Sequence, residues 1–252
     1  MSRLYGLIGF PLGHSFSGKY FTEKFKREQI TDASYKLFEL NYIDDLPHLL
    51  EAESDLNGFN VTIPYKEKVI PYLDEIESNA RKIGAVNVVK VNHGQLIGYN
   101  TDYIGFQASL LEFLKGATVK KALILGTGGA SKAIAYALSD MDIKFLHVSR
   151  KGDFSYLNYA ELDNKELMDA HQLIINTTPV GTSPAIDEYP DIPYHLLSKN
   201  HFLFDLVYNP AETLFMKKGS KAGAKVMNGH QMLVKQAEAA WEIWNKNPYQ
   251  QV

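Results

Sequence analysis

Short apolar runs alternate with segments whose apolar residues return every three to four positions. The first half reads RLYGLIGF, the charged stretch SGKYFTEKFKREQ, SYKLFEL, DDLPHLLEAES, GFNVTIP and KEKVIPYLDEIES. Strand-like runs separated by helix-period segments predict βαβ units around a largely parallel sheet, with KEKVIPYLDEIES as one of the helical segments. AVNVVKV and QLIGYNT flank Asn92-His93-Gly94, whose residues suit a tight hairpin turn. This half is therefore expected to mix parallel and antiparallel strands.

A second series begins after Thr118: KKALILG, the helical ASKAIAYALSD, then KFLHVSR, QLIINTTP, HFLFDLVY and a short AKVMNG. Its strand runs are nearly continuously apolar, as strands covered on both faces would be. Between Arg150 and His171 only NKELMDA has clear helix character, so that βα unit reads as abbreviated. YIGFQASLLEFLKG, at the join of the two series, predicts a rigid helical connector. The final QMLVKQAEAAWEIWNK has helical spacing, and its apolar stripe, Trp241 and Trp244 included, needs an already built surface to pack on.

With 252 residues the chain has room for one large core or for two domains. Its 45% hydrophobic and 22% charged residues are the balance of a globular enzyme. The net charge of -3 offers no basic field for nucleic acid or an anionic membrane, which leaves a small molecule as the favoured partner. With no cysteine, disulfides and thiolate chemistry are excluded, and a reducing, cytoplasmic location fits. The opening MSRLYGLIGFPLGHS is too short and too broken an apolar run for a signal sequence or a membrane span, and reads as the first strand.

Gly126-Thr127-Gly128-Gly129-Ala130-Ser131 follows a strand and opens a helix, the setting in which a glycine turn cradles a dinucleotide pyrophosphate. The match is incomplete, because Ser131 stands where the third glycine of the fingerprint would be. After the next strand come Ser149-Arg150-Lys151, where an NAD site usually has an acid for the ribose hydroxyl. Cations there suit a 2′-phosphate and favour NADP. Histidines such as His93 and His201 are scattered without metal-ligand spacing, so no metal site is expected and surface or capping roles are favoured for them. His14 lies beside Ser15, but no G-x-S-x-G elbow supports a serine nucleophile.

Four polar clusters remain: His14 to Ser17, Asn60 to Lys66, Gly84 to Asn87 and Asn100 to Asp102, each at or near a strand end. In this order, followed by GTGGAS and a late G-x-x-M-L-x-x-Q, they resemble the shikimate dehydrogenase family over essentially the whole chain. The resemblance implies a two-domain α/β enzyme, with a substrate domain of residues 1–103 plus 229–252 and a Rossmann-like NADP domain of residues 104–228. The carboxy-terminal helix would return to the first domain. The implied reaction is NADPH-dependent, reversible reduction of 3-dehydroshikimate to shikimate, on the route through chorismate to aromatic amino acids. The alternatives are a quinate/shikimate dehydrogenase with broader substrate and cofactor use, or a non-catalytic NADP-binding relative. A monomer or homodimer is expected.

The resemblance also assigns roles. Ser15 and Ser17 would hold the substrate carboxylate, and Thr62, Asn87 and Asp102 its ring hydroxyls. Tyr208 and Gln236 would reach the substrate, while Leu206 and Gly229 would sit by the nicotinamide. Lys66 falls on the family's catalytic lysine. Independently, ketone reduction needs a proton at oxygen as well as a hydride; a lysine held by a carboxylate can deliver it, and Asp102 is the natural partner. Lys68 reads as an ordinary solvated charge. Gly18 departs from the family, which usually has proline there, and Ser149-Arg150-Lys151 departs from its usual Asn-Arg-Thr.

Overall fold

The computed structural model describes residues 3–13, 15–150 and 155–245. Its contacts divide the chain into two units, Met1–Thr101 with Gln236–Val252, and Asp102–Lys235.

The first unit is built on a six-stranded sheet: β1 Arg3–Gly9, β2 Ala33–Glu39, β3 Leu56–Val61, β4 Glu75–Ile76, β5 Val88–Asn92 and β6 Gln95–Tyr99, in the order β2-β1-β3-β5-β6-β4. β1 runs parallel to β2 and β3, whereas β5 is antiparallel to both of its neighbours. The expected mixture is thus present. The β5–β6 hairpin closes through His93 and Gly94, both at positive φ, the conformation its two-residue turn requires. Helices α1 Phe16–Arg27, α2 Leu46–Ala52 and α3 Ser78–Ile83 complete this part. One side of the sheet packs on Leu46, Tyr65, Val69, Ala80 and their neighbours; the other holds an aromatic cluster of Tyr5, Phe21, Phe25 and Trp244, with Tyr35 and Trp241 packed against it. The two tryptophans pack in this core, as their helical spacing predicts.

The sequence expectation fails at KEKVIPYLDEIES. That stretch forms turns, a single 3₁₀ turn at Ile70–Tyr72 and the two-residue β4. Pro71 explains the difference, since a proline inside the segment removes a donor and disfavours helical backbone at the residue before it. The apolar residues of the segment, Val69, Ile70, Leu73 and Ile76, still turn into the core.

The second unit holds a five-stranded, wholly parallel sheet: β7 Lys121–Leu125, β8 Lys144–Val148, β9 Leu173–Asn176, β10 Phe202–Asp205 and β11 Lys225–Met227, in the order β11-β10-β9-β7-β8. Its helices are α4 Asp102–Leu114, α5 Gly129–Asp140, α6 Lys165–Ala170 and α7 Leu214–Lys221. β9 and β10 are buried at every residue, as continuous apolar runs imply, while the edge strand β8 alternates. After β7 the chain crosses to β8 on one side and then to β9 on the other. The strand order reverses at the β7/β9 boundary, the position in an open α/β sheet where ligands bind beyond the carboxyl ends of the strands. The last helix, α8 His230–Asn245, contributes residues to both units.

Candidate active site

In the first unit the sheet brings three of the polar clusters to one edge. β3 ends at Val61 and is followed by Thr62; β5, antiparallel to it, starts just after Asn87; β6, running back again, is followed by Asn100 and Thr101. Register fixes this arrangement, because Asn60 lies opposite Val88 and Val88 opposite Tyr99. The Val61 amide donates to the Asn87 carbonyl at 2.8 Å, and the Asn87 amide to the Tyr99 carbonyl at 3.0 Å.

Asn87 is buried and its side chain is closely specified. Its Oδ1 accepts from the Thr101 amide at 2.7 Å, while Nδ2 donates to Thr101 Oγ1 at 3.1 Å and to Gln236 Oε1 at 3.2 Å. Two residues assigned to substrate, Asn87 and Gln236, are therefore in direct contact. Thr101 was not assigned from the sequence, although it sits inside the Asn100–Asp102 cluster, and it organises the pair.

Lys66 does not start a helix. It lies in the turn region after β3, where the Val86 amide donates to its carbonyl at 2.7 Å. The preceding Tyr65 is buried, and its hydroxyl donates to the Leu40 carbonyl at 2.6 Å. Lys66 is thus carried on backbone fixed from both sides, next to the strand start that carries Asn87. Lys68, by contrast, is exposed. Thr62 is half-buried, with its amide donating to the Ile8 carbonyl at 3.0 Å.

Ser15 is the N-cap of α1, and its side chain makes no capping bond. With Ser17 in the first turn, two hydroxyls accompany the uncapped amides of a 12-residue helix, an environment that favours an anion. Gly18 is an ordinary helical residue here; a Cβ on it would press on Leu37. His14 lies outside the described residues.

In the second unit, Gly126 follows β7 at φ +111, where a side chain would be strained and a Cβ would meet Thr177 Oγ1 at 2.8 Å. Gly128 differs, since a Cβ there would meet nothing within 4 Å. It is the N-cap of α5, contributes no capping side chain, and stands exposed beside exposed Thr127, with Gly129 and Ala130 opening the helix. Open space over uncapped helix amides is what a pyrophosphate requires, so these residues fit a dinucleotide. Ser131, in place of the third glycine, is buried and hydrogen-bonds the Gly128 carbonyl at 2.6 Å. It tightens the turn from inside.

The end of β8 is tied to the same turn. The Gly126 amide donates to the Val148 carbonyl at 2.9 Å, and the Ser149 amide to the Leu157 carbonyl at 2.8 Å. These bonds place Ser149 and the exposed Arg150 immediately beyond the strand next to the glycine turn. Lys151 lies outside the described residues.

A buried network under the ends of β9 and β10 had no sequence signal, because its central residues, Asn176 and Asp205, read as strand residues. The Asp205 carboxylate accepts from Asn176 Nδ2 at 2.9 Å, the Val207 amide at 3.1 Å and Thr213 Oγ1 at 2.6 Å. Burial pushes its pKa up to about 6 against the opposing pull of these donors. Through Val207 it shapes the turn that carries Leu206 and Tyr208. Gly229 packs there so closely that a Cβ would fall on the Leu206 carbonyl.

His201 is buried, not at the surface: its Nδ1 accepts from the Ser198 amide at 3.0 Å and its Nε2 lies 3.1 Å from the Met168 carbonyl. Among the described residues there is no grouping of three or more potential metal ligands, and no helix is long and apolar enough to cross a membrane.

A parallel sheet with a glycine turn at its switch point, and a mixed sheet with buried polar side chains gathered at one edge, define a dinucleotide-binding α/β protein of two units. Comparison with known proteins narrows the class. Residues 7–89 match the family model for the shikimate dehydrogenase substrate binding domain. The shikimate dehydrogenase (NADP(+)) of Methanococcus maripaludis is 40% identical, across 96% of this chain and 92% of the relative's length. The crystal structure of shikimate dehydrogenase from Aquifex aeolicus superposes with a TM-score of 0.86 at 37% identity, covering 97% of this chain and 92% of that one. That of shikimate 5-dehydrogenase from Thermus thermophilus, in complex with NADP(H) and shikimate, gives 0.82 at 30% identity, covering 96% and 93%. The chain belongs to the shikimate dehydrogenase family.

Proposed function

We propose that the chain catalyses the reversible, NADPH-dependent reduction of 3-dehydroshikimate to shikimate, a step toward chorismate and the aromatic amino acids. The observation that carries this reading is local. Lys66, the proton-bearing group, is held by its carbonyl to Val86, next to an Asn87 whose side chain is already oriented by Thr101 and Gln236.

In this reading Ser15 and Ser17 at the start of α1 bind the substrate carboxylate, and Thr62, Asn87, Tyr208 and Gln236 position the ring. Gly126 to Ala130 hold the cofactor pyrophosphate. Ser149 and Arg150, with Lys151, meet the adenosine ribose phosphate, and Leu206 and Gly229 flank the nicotinamide. When bound, the reduced nicotinamide supplies the hydride. The ammonium of Lys66 delivers the proton to the ketone oxygen and offsets the negative charge developing there, and Asp102 is assigned as its carboxylate partner. In the oxidative direction Lys66 takes the proton back. We assign residues 1–103 plus 229–252 to substrate and 104–228 to cofactor. The proposed compartment is the cytoplasm and the proposed assembly a monomer or homodimer.

The test is absorbance at the nicotinamide band with purified protein, crossing shikimate and quinate with NADP and NAD. Turnover is expected with shikimate and NADP above the other three combinations. Equal use of quinate or of NAD would move the protein to the broader quinate/shikimate reading, and no turnover in any combination would leave a non-catalytic cofactor binder.

A further inference from the structure

His147 interrupts the apolar run of β8, in register with Ile124 of β7, and its side chain takes no part in the proposed chemistry. Edge-on ring contacts with Phe145 at 5.5 Å and with Tyr156 at 5.6 Å between centroids account for an aromatic residue at this place. Phenylalanine would make them equally well. The ring nitrogen needs a separate explanation.

Nδ1 of His147 lies 3.2 Å from the Gly126 carbonyl oxygen. A carbonyl has no proton to give, so the imidazole donates, and in its neutral form the proton sits on Nδ1. The neighbouring Val148 carbonyl accepts from the Gly126 amide at 2.9 Å. β8 therefore grips the first glycine of the turn at both of its backbone polar groups, one through main chain and one through a side chain. Gly126 sits at φ +111, and because glycine is the most permissive residue at every φ, these bonds and not its own sterics decide how its carbonyl points. Peptide planarity carries the effect forward. The Gly126 carbonyl and the Thr127 N–H belong to one trans peptide and point in opposite directions, so holding the carbonyl on β8 aims the Thr127 N–H away from β8. Amides of this turn are what a pyrophosphate would meet, and amides aimed in advance cost less to organise on binding.

We propose that His147 is a positioning residue of the cofactor turn, its Nδ1–H holding the Gly126 carbonyl so that the Thr127 amide is set before the cofactor arrives. The inference rests on the reading of Gly126 to Ala130 as the pyrophosphate-binding turn. It puts a determinant of NADP affinity inside a strand, behind the residues that would touch the cofactor.

The experiment compares two replacements in the full-length protein. His147→Asn loses the ring but brings an amide Nδ2 close to where Nδ1 stood, whereas His147→Phe keeps the ring contacts and loses the donor. NADP affinity is measured by titration calorimetry without substrate, alongside kcat, KM for shikimate and the urea midpoint. His147→Phe should weaken NADP binding roughly 3- to 10-fold, the equivalent of one lost hydrogen bond, and move KM for shikimate much less, while His147→Asn should stay within about twofold of the natural protein. The reverse order, equal losses in the two variants, or no loss in His147→Phe would overturn the proposal and leave His147 a packing residue. In the natural protein, NMR of the isotopically labelled imidazole nitrogens should find the neutral ring protonated at Nδ1; protonation at Nε2 would overturn the proposal without any variant. Failure of the underlying reading looks different: a Gly128→Ala protein that binds NADP as tightly as the natural one would take the cofactor away from the turn, whatever the His147 variants do.

Discussion

Lys66 has a compact charge on a flexible stem, so its usefulness depends on what holds the backbone beneath it. The bonds around Tyr65 and Val86 provide that rigidity, and a solvated surface lysine has no need of it. Lys66→Ala should lower kcat by on the order of 10²-fold or more, with binding of shikimate much less affected. Because Lys66 and Asp102 are proposed to act together, the double variant should be little worse than the poorer single one; additive losses would reduce Asp102 to a binding residue. Asp205 gives a prediction of a different kind. Its folded-state pKa of about 6 lies above the ordinary aspartate value of 3.8, so the fold prefers the protonated form. That preference stabilises the fold fully below the unfolded value and is lost as pH rises through about 6, leaving the ionised, buried carboxylate to cost ~3 kcal/mol at neutral pH. Asp205→Asn resembles the protonated form, with an amide able to donate to Thr213 and an oxygen still accepting from Asn176 and Val207. The stability of the natural protein relative to Asp205→Asn should therefore fall between about pH 4 and pH 6 and level off above that, measured by urea unfolding at each pH. Parallel pH curves would show that the carboxylate is not protonated in the fold.

Elements were legible where one local rule decided them. The β5–β6 hairpin followed from an Asn/Gly-bearing turn between two apolar runs, and α5 from a glycine turn after a strand. KEKVIPYLDEIES misled because its spacing does report burial, but a proline decides whether buried residues form a helix or a chain of turns. Helix α7 escaped notice because Gly219 interrupts LFMKKGSK; the structure needs that glycine, since a Cβ would collide with Leu203. In the site, side chains at strand ends announced themselves, whereas Asn176 and Asp205 lie within strands and only the sheet register reveals them as partners. The glycine turn itself can be tested by separating stability from affinity. Gly128→Ala enters open space at an ordinary φ, so it should cost the fold at most ~1 kcal/mol as a poorer helix cap. If the pyrophosphate lies against that backbone, KM for NADP should nevertheless rise at least about tenfold, by blocking the close approach for which the fingerprint reserves a glycine. Gly126→Ala, at positive φ and against Thr177 and Thr178, should destabilise the protein as well. Unaltered NADP kinetics in Gly128→Ala would remove the turn from the cofactor site.

Taken as a whole, the molecule combines two sheets with different logic. The parallel sheet places its glycine turn at a reversal of strand order, while the mixed sheet uses antiparallel pairing to return Asn87 and Thr101 to the edge where β3 ends. This division predicts separable footprints for the two ligands. Amide hydrogen exchange reports local protection, and a ligand that binds only the folded form slows opening by up to the stabilisation it contributes, ~2.7 kcal/mol at a hundred times Kd. NADP alone should slow exchange most at the start of α5 and at the end of β8, where uncapped or loop amides face the proposed cofactor positions. Shikimate alone should act on the start of α1, on the segment from Thr62 to Lys66 and around Asn87, and leave the β7–α5 turn little changed. Protection by NADP centred on the α1 start, or by shikimate centred on the glycine turn, would reverse the assignment of ligand to sheet. A footprint of either ligand confined to neither region would mean that the polar edge and the glycine turn are features of the fold alone.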